Sequence, residues 1–254
     1  MYWLKERLRD LVLWPINLVR DFPRRSGRLW QTCIIAFKTL YCFPTELKKA
    51  KSQQNTLTRF ANWIHLLLLN VFDLFGGPEI AQFFMHLITH TTPLTPEEIK
   101  MMQALLGEHG MRYQDVRVAQ GGLMKYIFQR NGNLAFATWY TINLPQNHGH
   151  DSQLPTRQNL PVVVHELTHV YQYHIVGSRY MSEAIYVLIK YNRDCYRYGG
   201  GDGLMQAIQE RHTMANFNRE QQAQIVQDYF MRQQNKEDLS SYLPFLEQVR
   251  IGQI

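Results

Sequence analysis

The sequence predicts an α+β protein, in which a small antiparallel sheet accompanies a helix carrying His165-Glu166-Leu167-Thr168-His169 and follows a mostly helical N-terminal region. Three observations predict this class. Apolar residues three or four apart near the N-terminus indicate an amphipathic helix. Short apolar runs around an Asn-Gly pair indicate strands. The 254 residues, 45% of them hydrophobic, suffice for one large domain or two small ones with a sizeable core.

Residues 1–92 are predicted to form a basic, helical region. Residues 1–60 carry twelve Lys and Arg against four Asp and Glu, a net charge of +8, whereas the whole chain carries +6. One face of the segment 4–19 is apolar, and Pro15 should bend or interrupt this helix. That face consists of Leu4, Leu8, Leu11, Val12, Ile16 and Val19. Residues 1–30 would bind an anionic membrane surface, dock on a partner protein, or pack against the chain itself.

No segment has the composition of a membrane-spanning helix or a signal peptide. Phe60–Phe72 is uncharged but covers only 13 residues, and Ile80–Pro96 contains polar residues and prolines, whereas a span needs about 20 apolar residues. Both are predicted to be buried helices. Arg9 and Asp10 interrupt the apolar N-terminal stretch, and the three cysteines match no metal or disulfide spacing. We expect a cytoplasmic protein, peripheral to the inner membrane or exported by a dedicated secretion system, that binds no nucleic acid.

A change of pattern near residue 93 marks the start of a second predicted domain, residues 93–254. Thr95 suits a helix N-cap and Pro96 the first helical position, and the acids that follow favour the positive end of the helix dipole. The helix that begins there should run to about Leu106.

The sheet is predicted from the segment that follows this helix. Val116–Val118 indicates a short strand. Leu123–Phe128 and Leu134–Leu144 flank Asn131-Gly132, which is a strong hairpin signal. The exposed edge of such a sheet would suit an extended peptide substrate, because a peptide can pair with it through main-chain hydrogen bonds.

The pentapeptide at residues 165–169 carries the clearest chemical signal. Residues four apart lie on the same face of a helix, so His165 and His169 can bind one metal ion. Glu166 lies about 100° further around the axis and can reach a metal-bound water without competing for the metal. Pro161 suits the first turn of this helix and Gly177 its end. This is the pattern of zinc metalloproteases.

The third ligand is less clear from the residues themselves. A catalytic zinc ion needs three protein ligands, and Glu183 and Glu220 are the two downstream candidates. Asn218 and Gln221 suit a capping box, which would make Glu220 a first-turn acid favoured by the helix dipole. That role is compatible with binding a metal. The alternative for the histidines is a set of hydrogen bonds in a core, although burying them without partners is costly.

Five segments of the chain together carry a resemblance to a known family: Pro93–Ile99, Tyr113–Val118, His165–Gln172, Tyr196–Gly200 and Glu220–Val226. Together they resemble a bacterial zincin-like family that includes the core domain of extracellular contractile injection systems and the Vgr-related proteins. The resemblance covers about residues 93–245. It implies a zincin-like metallopeptidase domain in which Glu220 is the third ligand, with Glu183 as the alternative. It also implies a protein partner in a secretion system.

The motif and the resemblance predict a gluzincin-like, zinc-dependent metallopeptidase that acts on a peptide or protein. Zn²⁺ would lower the pKa of bound water and polarise the scissile carbonyl, and Glu166 would be the general base. Gln172 would either support His169 or make a polar contact between helices. Five tyrosines are candidates for stabilising the oxyanion: Tyr140, Tyr171, Tyr173, Tyr196 and Tyr198. The alternative functions are a non-catalytic zinc-binding adaptor and an effector delivered by a contractile injection system.

Three remaining features receive a structural interpretation. His86 and His90 are four apart but lack an adjacent acid, so we expect both to be ordinary helix residues. His148 and His150 are expected in a polar loop. Gly199–Gly203 is expected to be a flexible break or a plain turn before the helix that contains Glu220.

Overall fold

The structure is a computed structural model that describes residues 2–46, 50–108, 110–120, 134–145, 157 and 159–254. The chain divides into two compact units. The first comprises the residues up to Phe83 together with Val176–Arg179, and the second comprises Phe84–Ile175 and Tyr180–Ile254. Helices predominate, and one small sheet completes the α+β class that the sequence predicts. The predicted division at residues 92 and 93 into a docking region and a peptidase domain stays a prediction.

The first unit is built on two long helices, α1 (Tyr2–Glu46) and α2 (Ala50–Leu74). Helix α1 runs through Pro15 without a break, so Pro15 does not interrupt it, and the predicted bend there stays a prediction. A proline removes one backbone N–H, and a helix of 45 residues keeps its other hydrogen bonds on both sides of that position. Helix α3 (Gly77–Leu87) begins in this unit.

Polar groups hold the first unit together. The side chain of Arg25 is fully buried and donates to the main-chain oxygen of Asp73 at 2.5 Å and to the carboxylate of Glu79. The Asp73 carboxylate accepts hydrogen bonds from the main chain and the hydroxyl of Ser178, at 2.9 and 2.5 Å. Gly177 lies against this carboxylate at φ +74°, where a Cβ atom would be 2.2 Å from Asp73 Oδ2. A glycine is therefore required at this position.

Neither of the two segments predicted to be a buried helix is one. In α2, Phe60 is 44% exposed and Leu68 is 63% exposed. The segment 80–96 is not one helix, because α3 ends at Leu87 and strand β1 (His90–Pro93) follows. Among the described helices, none alone has the length and apolar composition to cross a membrane, although the pair Thr58–Leu74 and Gly77–Leu87, bent by 67°, meets that test together.

The sheet lies in the second unit and has four described strands: β1, β2 (Arg117–Gln120), β3 (Phe136–Thr138) and β4 (Thr141–Leu144). Their order is β1-β2-β4-β3. The pairs β1–β2 and β3–β4 are antiparallel, but β2 and β4 are parallel, so the sheet is mixed and the predicted antiparallel sheet is wrong. The cause is that β3 turns back at once into β4, and β4 then pairs with β2.

The hairpin between β3 and β4 was not predicted. Residues 134–144 were expected to be one strand, yet Trp139 and Tyr140 form a two-residue turn, with Thr138 paired to Thr141. Trp139 has φ +49°, a conformation that usually selects Gly, Asn or Asp. Its N–H donates to the hydroxyl of Tyr180 at 3.1 Å, which supports the turn. The predicted Asn131-Gly132 turn and Leu123–Phe128 lie outside the described residues.

Six further described helices complete the second unit: α4 (Pro96–Leu106), α5 (Leu160–Val176), α6 (Arg179–Tyr191), α7 (Gly200–Gln209), α8 (Arg219–Asn235) and α9 (Leu243–Arg250). The start of α4 is confirmed, because Thr95 and Glu98 form a capping box. The expected break at Gly199–Gly203 is wrong. Gly199, at φ +89°, leads directly into α7, and Gly203 lies so close to the main chain of Tyr198 that a Cβ atom would be 2.3 Å from its oxygen.

Candidate metal centre

Helix α5 is the most buried helix of the second unit. Residues 163–174 are all buried, including His165 and His169. The two imidazoles are one helical turn apart, with ring centroids 5.0 Å from each other. Both therefore point from one face of α5 into the protein interior.

Glu220, in the first turn of α8, meets both histidines. Its Oε2 atom is 3.3 Å from His165 Nε2 and 3.2 Å from His169 Nε2. All three side chains are buried, and their ligand atoms lie within 4.8 Å of one another. This group could hold a metal ion, and it is the one such group of His, Cys, Asp and Glu side chains in the part of the chain that the structure describes.

The start of α8 fixes Glu220 in place. Asn218 caps the helix: its side chain accepts from the N–H of Gln221 at 2.9 Å, and the Gln221 side chain accepts from the N–H of Asn218 at 3.0 Å. This capping box was predicted, and Glu220 is indeed a first-turn acid. The same turn directs its carboxylate to the two histidines. The capping position of Glu220 is therefore compatible with binding a metal.

Glu183, the alternative third ligand, has a different partner. It lies on α6, and its carboxylate accepts a hydrogen bond from Arg219 Nε at 2.7 Å. The structure therefore brings Glu220 to the two histidines. It places Glu183 in an ion pair with Arg219, the residue just before Glu220.

Gln172 determines which nitrogen of His169 is available to a metal. Its Oε1 atom lies 2.8 Å from His169 Nδ1, while its Nε2 atom donates to the main-chain oxygen of Arg219 at 2.9 Å. A carbonyl oxygen only accepts, so the amide must present its NH₂ group to Arg219 and its oxygen to His169. His169 Nδ1 then carries a proton, and Nε2 faces Glu220 as the metal-binding nitrogen.

Gln222 holds Gln172 in this orientation and was not foreseen from the sequence. Its Oε1 atom accepts from Gln172 Nε2 at 3.0 Å and from Arg219 Nη1 at 3.1 Å. Its Nε2 atom donates to the main-chain oxygens of Met214 and Phe217, both at 3.0 Å. The orientation of both amides is therefore set by main-chain carbonyls. The one sequence feature that could have indicated this role is the position of Gln222, two residues after Glu220 on a predicted helix.

Glu166 lies beside the three ligand groups and points towards the sheet. The main-chain N–H of Ala137, in β3, donates to its carboxylate. Among the described residues, no group pairs with Glu166 Oε2 or with His165 Nδ1. Buried polar atoms are nearly always paired, so these two atoms are open to a bound ligand or a catalytic role.

The two buried glutamates have opposite electrostatics. Burial raises the pKa of Glu166 above its ordinary value, and the two histidines oppose that rise only in part. Burial also disfavours a charged Glu220, but His169 and His165 outweigh it and hold the pKa of Glu220 well below the usual range. Burial disfavours a charged His169 as well, yet Glu220 prevails and raises the pKa of His169 to about 9 in the metal-free protein.

Of the five candidate tyrosines, Tyr196 lies against the ligand group. Its ring centroid is 5.8 Å from that of His165. Burial and the nearby carboxylate of Glu220 raise its pKa, so the hydroxyl stays protonated and can donate a hydrogen bond. The 3₁₀ turn Asn192–Tyr196 places it there.

The other four tyrosines contact different groups. The hydroxyl of Tyr140 pairs with His174 Nδ1 at 2.8 Å, and that of Tyr171 donates to the main-chain oxygen of Val249 at 2.5 Å. Tyr198 bonds to Asp228, and the ring of Tyr173 packs edge-on against Tyr140. Tyr180 was not foreseen: its hydroxyl donates to the main-chain oxygen of Ala137 at 3.1 Å, and its ring centroid is 6.2 Å from that of His169.

The remaining histidines are separate from this centre. His86 is buried on α3 and pairs with the hydroxyl of Thr141 at 2.9 Å. His90 is exposed in β1, so the expectation that both belong to one helix is wrong. The helix ends at Leu87 because the following residues pair with β2. His148 and His150 lie outside the described residues.

Comparison with known proteins adds nothing to this geometry. No protein-family model, curated protein or solved structure matches the chain. Membership of the zincin-like family therefore stays a prediction from the quoted motifs, and the chemistry must be inferred from the side chains themselves.

Proposed function

We propose that the chain is a zinc-dependent metallopeptidase of the gluzincin-like type. The observation that carries the proposal is the convergence of His165, His169 and Glu220 in a buried group, with the carboxylate of Glu166 next to it. Two histidines and a glutamate form the protein ligand set of a class of zinc peptidases. Three ligands also leave a fourth position open for water or substrate, as catalysis requires.

The two distances to Glu220 are compatible with a bound zinc ion. Charge-assisted hydrogen bonds between nitrogen and a carboxylate oxygen are about 2.7–2.9 Å long. The two distances from Glu220 Oε2 are longer, 3.3 and 3.2 Å. Tetrahedral ligands at zinc bond lengths of about 2.0–2.1 Å lie about 3.3 Å from one another. The unpaired Oε2 atom of Glu166 further supports a group that is incomplete without a metal and a water.

Each residue has a defined part in hydrolysis. Bound zinc would acidify a water molecule and polarise the scissile carbonyl. Glu166 would accept a proton from the attacking water and pass it to the leaving amine, and burial, which raises its pKa, favours proton uptake. The N–H of Ala137 would hold the carboxylate of Glu166 in position. The hydroxyl of Tyr196 would donate to the developing oxyanion.

The sheet favours a peptide as the substrate. Strand β3 is at the edge of the described sheet and bonds to Glu166 through Ala137. An extended peptide can add to such an edge through main-chain hydrogen bonds. The outward N–H and oxygen of Ala137 are taken by Glu166 and Tyr180, so a substrate would have to pair with other main-chain groups along this edge.

The test is a substrate-profiling digest by the zinc-loaded wild type and by Glu166→Gln. We expect the wild type to cut peptides and Glu166→Gln to retain zinc but lose at least about 10²-fold in turnover, since general-base catalysis typically contributes 10²–10⁴-fold. Glu183→Gln is the matched control and should cut normally. Equal cleavage by wild type and Glu166→Gln would remove Glu166 as the base. Retained zinc without cleavage by any variant would favour the non-catalytic adaptor.

A further inference from the structure

Helix α1 exposes a long row of large apolar side chains, here called the apolar row. At 100° per residue its members fall within one face about 140° wide, and at 1.5 Å per residue the row from Leu4 to Phe37 is about 50 Å long. The members, all exposed, are Leu4, Leu8, Leu11, Val12, Ile16, Val19, Phe22, Trp30 and Phe37. Soluble monomers rarely leave so extended an apolar surface in water.

The interior of the first unit is polar, which is the reverse of an ordinary soluble unit. Among its described side chains, Ala36 and Pro78 are the apolar ones that are buried. Buried polar contacts join α1 and α2: Asn70 donates to the hydroxyl of Thr32 at 2.9 Å, and Arg25 donates to the main-chain oxygen of Asp73. Apolar residues outside and polar residues inside indicate a unit whose outer face contacts something other than water.

Charge is arranged around the apolar row in an ordered way. The acids Glu6, Asp10 and Asp21 all lie about 140° or more from the centre of the row, and the first and last of these are buried. Lys5 and Arg20 are exposed on one side of the row: Lys5 lies about 50° from its centre, within the face, and Arg20 lies about 110° from it, outside the face. Exposed basic residues therefore lie within and beside the apolar face, and the acids are on the far side.

Helix α2 repeats the pattern in the same unit. Phe60, Ile64, Leu68 and Phe72 are four apart and exposed, between 37% and 63%. Asn70 and Asp73, on the other side of this helix, are buried against α1. Both helices thus direct polar groups at each other and apolar groups outwards.

We propose that α1 lies on an anionic lipid bilayer, with the apolar row in the boundary between headgroups and acyl chains. Basic residues within and beside an apolar face meet anionic headgroups while the apolar side chains enter the hydrocarbon. A coiled-coil partner or a second copy fits less well, because a face about 140° wide exceeds the narrow seam through which such helices pair. This proposal is independent of the metal centre.

Flotation of the full-length chain with lipid vesicles tests this proposal. We expect binding to vesicles that contain phosphatidylglycerol and weak binding to vesicles of phosphatidylcholine alone. Leu8→Glu/Val12→Glu should lower the partition coefficient by about tenfold or more. Lys5→Gln/Arg20→Gln should lower it by about tenfold or more on the anionic vesicles only, because each basic residue near the surface contributes about fivefold.

One control variant and one further variant of the apolar row make the outcome decisive. Ile189→Glu changes a side chain that is 80% exposed on α6, outside the first unit, and should bind vesicles like the wild type. Val19→Gln alters the apolar row at a position that is 74% exposed and should weaken binding even if the double variant does not fold. Unchanged binding by the folded apolar-row variants, or equal binding to both kinds of vesicle, would overturn the proposal. A stable dimer of the chain that does not bind vesicles would also overturn the proposal.

Discussion

Two glutamates in the candidate metal centre show how position assigns a role to a side chain. Glu166 and Glu220 are both buried, yet the pKa of Glu166 is raised by burial, whereas the pKa of Glu220 is held low by two adjacent imidazoles. Glu220 is therefore held in its anionic form, which would suit a metal ligand. Burial favours the protonated form of Glu166, which would suit a group that accepts a proton. Such a separation of two carboxyl groups is typical of sites that carry out acid–base chemistry.

The pKa of His169 leads to a prediction about metal binding. In the metal-free protein that pKa is about 9, so the ring is protonated at neutral pH. Only the neutral ring binds a metal, so binding must release that proton. We expect the apparent zinc affinity to rise about tenfold per pH unit between pH 6.5 and 8.5, because the proton competes below the raised pKa and not above it.

Chelator competition at several pH values measures that slope. Calorimetry in buffers of different ionisation enthalpy measures the proton release directly. An affinity that stays constant over this pH range would show that His169 is not the residue that exchanges a proton for the metal.

At the level of elements, the metal centre depends on how α8 meets α5. The pentapeptide and the capping box at Asn218 could be predicted, because both are short patterns whose geometry is set within one helix. The contact between Gln172 and Gln222 could not, because it depends on the packing of two helices 50 residues apart. The choice between Glu183 and Glu220 has the same origin, since both are acids on predicted helices.

This contact supplies a second prediction. Gln172→Leu removes the acceptor for His169 Nδ1–H, and partners of ligand histidines typically contribute 10–100-fold to metal affinity. We expect zinc affinity to fall by about that factor in Gln172→Leu, with a smaller fall in Gln222→Leu, which removes one of the two acceptors that hold the amide of Gln172. Gln206→Leu, at an exposed position on α7, is the matched control.

Zinc competition assays on the folded variants provide the measurement. If Gln172 only supported the fold, Gln172→Leu would lower the free energy of unfolding without changing the solvent exchange of the His169 Nδ1–H. In cobalt-loaded protein, the exchangeable Nδ1–H signal of His169 should be lost on solvent exchange in Gln172→Leu and kept in Gln206→Leu. The same signal in all three proteins would rule out this role for Gln172.

The sheet shows why local patterns fail for strand pairing. The strand near Val116–Val118 was found within two residues, because β-branched runs are local. The turn at Trp139 was missed, because no residue there favours a positive φ and its support comes from Tyr180 on another element. Once that turn exists, β4 rather than β3 pairs with β2, and the sheet becomes mixed.

Over the whole molecule, the two units differ in what they bury. The second unit has an apolar interior around α5, with Leu167 and Val170 fully buried. The first buries Arg25 and Asp73 and exposes Leu68 and Phe37. The sequence predicted the helices and the basic charge of the first unit but not its burial of polar residues and exposure of apolar ones. An apolar helix face has the same sequence pattern whether it meets a core or a bilayer.

The zinc content of the purified, full-length chain tests the central claim most directly. Native mass spectrometry should show one zinc ion per chain in the wild type and in Glu183→Ala. It should show none in His169→Ala, and Glu220→Ala should lose zinc at chelator concentrations that the wild type withstands. A folded wild type without metal would contradict the claim, and zinc retained by Glu220→Ala but lost by Glu183→Ala would contradict the ligand set.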